Sequence, residues 1–174
     1  MSDLKFETNQ VRLEIVQNLI QAARNYTNSL IADLSADEWF WMPPELSTHI
    51  AWQIGHLAYA QYGLVLFRQR GRRLDDGSLM SNQFRKQFAK GSQPLNREET
   101  LPLSEIQETF RRVFEQVQIE LPEFLEINLD EPIDPPFAGF PTKYGSLLMC
   151  AQHEMLHAGQ IGLIRRMMGK APIR

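Results

Sequence analysis

Residues 142–169 read TKYGSLLMCAQHEMLHAGQIGLIRRMMG, and this stretch decides the fold class. Arg165 and Arg166 fall in its last turn, Gly169 is a natural C-terminal stop, and Pro172 lies just beyond. The punctuation predicts a helix from about Thr142 to Met168. His153 and His157 lie four residues apart within it. On a helix that spacing separates two side chains by about 40° around the axis and one turn along it. They project side by side and can hold one ion with two imidazoles.

Three more helices are expected upstream. The first runs from about Asn9 to Asp33, with Val16, Leu19, Ala23, Tyr26 and Leu30 at three- and four-residue spacing. Ser35 and Glu38 form a capping-box pattern for a short turn that Pro43-Pro44 ends. The second long helix is expected from Ser47 or Thr48 to about Arg70, punctuated by Gly71. The third should start near Ser104, where Ser104 and Gln107 make another capping-box pattern, and stop at Pro122. Its stripe is Ile106, Phe110, Val113 and Val117. A Pro- and Gly-rich connection, Glu131 to Pro141, leads to the last helix. No period-two pattern is long enough to predict a sheet. The reading is all-α: a four-helix bundle over residues 1–174, one domain, with long crossover connections. A structureless 70–100 connection would be unusually long, so a short extra helix is expected from Asn82 to Phe88.

Composition excludes several functions. Net charge is -3 with a sequence pI of about 5.8, which gives no electrostatic reason to expect nucleic acid. No run approaches the roughly 18 apolar residues of a spanning helix. Met1 to Thr8 is polar and acidic, unlike a secretion signal. The single cysteine, Cys150, excludes an intrachain disulfide and fits a reducing compartment, so a cytoplasmic protein with no membrane partner is expected.

His153-Glu154-Met155-Leu156-His157 also spells the zincin metallopeptidase pattern, with Glu154 in the general-base position. That reading needs a third ligand downstream, and after His157 there is no His, Asp or Glu. The third imidazole must come from upstream, where His49 and His56 are available. His49 sits in a first turn and suits capping or solvent. His56 lies mid-helix in Trp52-Gln53-Ile54-Gly55-His56-Leu57-Ala58, where it is either bonded to a backbone carbonyl or joined to the pair. Because a histidine pair lies elsewhere in the bundle, the ligand reading prevails: His56, His153 and His157.

These two segments, together with Arg165 to Pro172 and the Phe88-Ala89-Lys90-Gly91-Ser92 stretch, resemble the DinB-like superfamily of four-helix proteins. The resemblance runs through most of the chain in order. It implies a divalent ion, usually zinc, nickel or iron, on His56, His153 and His157. Understood relatives include metal-dependent transferases of low-molecular-weight thiols and a thiol-dependent isomerase. By resemblance the chain is therefore expected to be a thiol S-transferase or a related thiol-dependent enzyme with a small-molecule substrate, forming a homodimer. A non-catalytic metal- or small-molecule-binding bundle is the alternative from a different class.

Other residues near the stripe read two ways. Gln160 follows His153 by seven residues and His157 by three, so it either supports a ligand or makes a helix contact. Trp52 and Tyr59 flank His56 and read either as walls of a pocket or, by preference, as core aromatics; Glu154 reads as a solvent-facing or cross-helix ion-pairing carboxylate, and Cys150 as a buried inert thiol. Arg68, Arg70, Arg72 and Arg73 could receive the carboxylates of an anionic thiol cofactor, but Asp75 and Asp76 dilute the charge at once and the group reads as solvated surface.

Overall fold

In the computed structural model, residues 2–137 and 140–173 are described. Helix α1 spans Ser2–Ile31, α2 Ala36–Phe40 and α3 Ile50–Gln61. The last of these continues through a π-helical segment, Tyr62–Phe67, into α4, Arg68–Arg70. Short helices α5 (Asp76–Leu79) and α6 (Asn82–Phe88) follow, then α7 (Leu103–Glu120) with a 3-10 extension, Leu121–Glu126. Strands β1 (Pro132–Phe137) and β2 (Phe140–Thr142) pair antiparallel and lead into α8, Lys143–Met167. The long helices make the expected all-α bundle: α1 lies against α8, and α3 packs on both α7 and α8.

The apolar stripes set this packing. Leu13, Val16, Ile20, Ala23 and Leu30 of α1 are buried, as are Ile106, Phe110, Val113 and Val117 of α7. Apart from the single methyl of Ala23, each such side chain contributes roughly 1.5–3 kcal/mol on leaving water. The expected stripe erred at Leu19, which is exposed; Ile20, one residue on, faces the core. Polar ties then fix the register. Asn9 Nδ2 donates to the carbonyls of Leu125 and Ile127, and Arg165 bonds the Leu30 carbonyl and Asp33. No helix of the described residues is long and apolar enough to cross a membrane.

The Ser35–Glu38 capping box forms, and α6 occupies the expected Asn82–Phe88. The Ser104–Gln107 box does not: α7 starts at Leu103, one residue earlier, and its N-cap is Pro102, which offers no side-chain cap. Similarly, α3 is capped by His49 and not by Ser47 or Thr48. The small β1–β2 hairpin was not expected, because β1 contains Pro132, Pro135 and Pro136 and shows no alternation. Ala138 and Gly139, in the same connection, lie outside the described residues.

Candidate metal centre

Two helices bring the three histidines together. His56 projects from the middle of α3 and is 8 % exposed; His153 and His157 project from one face of α8. Their ring centroids lie 5.3 Å (His56–His153), 5.1 Å (His56–His157) and 4.6 Å (His153–His157) apart. One nitrogen from each ring falls within 4.8 Å of the others, so the trio could hold a metal ion. A scattered arrangement, with His56 out of reach of the pair, is not what the fold builds.

The ring orientations fit that use. His56 Nδ1 lies 2.9 Å from the Phe88 carbonyl. A carbonyl only accepts, so Nδ1 carries the proton and Nε2 presents its lone pair. His157 Nδ1 bonds Gln53 Oε1. The Gln53 amide nitrogen is committed elsewhere, donating to Thr48 Oγ1 at 3.0 Å and Gln160 Oε1 at 2.7 Å. With the amide oriented by those acceptors, His157 is the donor and its Nε2 also presents a lone pair. That Nε2 stands 3.3 Å from His153 Nε2. Imidazoles about 2.0–2.1 Å from one ion at tetrahedral angles stand about 3.3 Å apart.

Electrostatics favour the neutral, ligating form. Burial lowers the pKa of His153 to about 4, helped by His56. Burial lowers His157 further, to about 3, with His153 and His56 adding to it. His56 is likewise lowered by burial, against the opposing pull of the Phe88 carbonyl.

The approach of α6 depends on Gly55. A Cβ there would lie 2.4 Å from Phe88 Cδ1, so only glycine lets the Phe88 ring pack against α3. That contact delivers the Phe88 carbonyl to His56. Trp52 stacks flat on His56, with centroids 5.0 Å apart and planes 3° apart, and its Nε1 donates to Ser92 Oγ at 3.1 Å. Beside the trio opens a cavity of about 610 Å³, lined by His56, His153, Tyr59, Phe67, Arg85 and Lys90 among others. The π-helical segment forms one wall through Tyr62, Gly63, Leu64 and Phe67. Wide turns of this kind are frequent at functional sites.

Other residues weighed from sequence settle into definite roles. Glu154 is buried in an ion pair with Arg24 at 2.8 Å, and Arg24 also donates to the Phe110 carbonyl and Gln61. Its carboxylate is spent on the cross-helix pair. His49 caps α3, accepting from Trp52 N at 3.1 Å, while its Nε2 donates to the Leu95 carbonyl; it stands outside the trio. Cys150 is buried, and burial beside Glu154 pushes its thiol up to about 12, the signature of an inert group. The basic run is not plain solvated surface. Arg70 is buried between Asp76 (2.8 Å) and Glu120 (2.5 Å), Arg73 reaches Glu120, and Arg68 bonds the Pro135 carbonyl. Trp52 and Tyr59 pack against the core and also flank the site, Trp52 stacked on His56 and Tyr59 in the cavity lining.

Sequence reasoning missed Gln53. Its one sequence signal is a polar amide three residues before His56, inside an apolar helical run; its partner His157 lies on a distant helix. Gln160 itself is exposed and meets the site only through Gln53. A family model described as the DinB superfamily matches residues 19–161. No curated protein matches the chain.

Proposed function

Because the chain belongs to the DinB superfamily, we propose that His56, His153 and His157 hold one divalent ion and that the protein is a metal-dependent enzyme acting on a small molecule. The specific reaction we put forward is thiol S-transfer or a related thiol-dependent conversion, with a low-molecular-weight thiol as co-substrate. One observation carries the reading: the neutral imidazoles converge at the wall of an open cavity, with two of the three lining it. A closed structural site would sit in sealed packing and leave no room for a substrate.

A divalent ion held by His56, His153 and His157 would supply Lewis acidity and would lower the pKa of a thiol brought to it. The chain's own residues do the rest. The Phe88 carbonyl and Gln53 hold two imidazoles in the ligating tautomer. Tyr59, Leu64 and Phe67 give the cavity an apolar wall that limits water. Imidazole donors suit zinc, nickel and iron alike, so availability selects the ion.

The zincin reading loses its base, since Glu154 is committed to Arg24. The rest of the proposal is a cytoplasmic single-domain protein without nucleic-acid or membrane partners, working as a homodimer. Val11, Ile15 and Leu19 of α1 and Met155, Leu156 and Leu163 of α8 are exposed apolar side chains available for such pairing. The test is to load the metal-stripped protein with zinc, nickel or iron and follow consumption of cysteine in the presence of an electrophilic aryl halide. Metal-dependent consumption above the free-ion background is the expected result. Its absence with every ion would leave a binding bundle without catalysis.

A further inference from the structure

The arginines of this chain divide by their partners. Arg24, Arg70 and Arg165, whose side chains are buried, each meet a carboxylate. Arg68 and Arg85, which line the cavity beside the histidines, form no ion pair among the described residues. Among the described residues Arg68 bonds the Pro135 carbonyl alone. Arg85 is held by the Tyr62 ring, 4.5 Å below its guanidinium, and its Nε and Nη2 meet no hydrogen-bond partner among the described residues. Lys90 adds a third cation to the lining, which contains no Asp or Glu among the described residues. The same lining carries the apolar surface of Tyr59, Leu64 and Phe67.

We propose that this cavity is a subsite for a small organic anion, its carboxylate or phosphate received by Arg85 with Arg68 and Lys90, its apolar body lying on the aromatic wall. The planar guanidinium fork matches either oxyanion, and a partly buried cation lacking a carboxylate gains most from an anionic ligand. The cavity volume suits a ligand of that kind. The subsite deepens the metal-enzyme reading by naming its substrate class, and it rests on that reading only in placing the anion beside an ion.

The test is calorimetric titration of benzoate, phenyl phosphate and neutral benzyl alcohol into zinc-loaded and metal-stripped protein. At least one anion should bind tenfold or more tightly than benzyl alcohol in the stripped protein, and the order of the two anions assigns carboxylate or phosphoryl recognition. Arg85→Gln should weaken the preferred anion at least fivefold and leave benzyl alcohol unchanged. Lys90→Gln, at an exposed position, should give a smaller loss of the same sign, and it carries the test if Arg85→Gln melts early. Equal binding of neutral and anionic probes would overturn the proposal. So would undiminished anion binding in both variants, or anion binding confined to the zinc-loaded protein. Failure to load any metal with anion binding intact would overturn the metal reading and leave this subsite standing.

Discussion

Gln53 Oε1 accepts from His157 Nδ1 across the α3–α8 interface. The helix that contributes one imidazole therefore also orients another, and Thr48 and Gln160 fix the amide that does it. Replacing Gln53 by Ala should lower metal affinity roughly 10- to 100-fold, the usual loss when a ligand's supporting partner is removed. Competition against a chromophoric chelator measures it, with helical content as the folding control. Gln160→Ala should lose less, since it acts one bond further out.

Gly55→Ala should cost about 1–3 kcal/mol of stability, because the added methyl meets the Phe88 ring and α6 must shift. Metal affinity should fall with it, as the Phe88 carbonyl leaves His56. Urea unfolding and the same chelator competition report the two effects. Gly159→Ala, where a Cβ meets nothing within 4 Å, is the matched control and should show neither loss.

Glu154→Ala should destabilise by roughly 3–5 kcal/mol, leaving Arg24 buried without its carboxylate. Metal bound per folded chain should stay as in the wild type. A catalytic base would give the reverse pattern: full stability, with activity lost. Denaturant midpoints and elemental analysis of the same samples separate the two.

Acid should destabilise the metal-free protein through its histidines. His153 and His157 titrate near 4 and 3 in the folded chain, below their ordinary 6.5, so the unfolded chain binds more protons as the pH falls. Stability is full above about 6.5, declines from there, and stops declining on their account below the folded values. The Asp33 and Asp76 carboxyls, both lowered to about 2, add their losses only below about 4. Urea midpoints between pH 7.5 and 4.5 should fall for the wild type and stay flatter for a His153→Gln/His157→Gln variant.

What the sequence disclosed was periodic or punctuated. Helix stripes, the Ser35 cap, the Gly169 stop and the four-residue histidine spacing are local patterns, and the structure reproduces them. What it hid depends on distant segments meeting. Nothing local says that Gln53 faces His157, 104 residues away, or that Glu154 finds Arg24 at a separation of 130. The proline-laden β1 strand carries no alternation to read, and the π-helical turn that shapes the cavity has no distinguishing spacing. Arg70 looked like surface because its carboxylate at Glu120 lies 50 residues on.

The most direct measurement is metal content of tag-free purified protein, wild type beside His153→Ala/His157→Ala, each confirmed folded by circular dichroism. The account predicts about one equivalent of divalent metal in the wild type, bound through the three imidazoles, and almost none in the variant. A folded wild type that takes up no zinc, nickel or iron, or a variant that keeps its full equivalent, would contradict it.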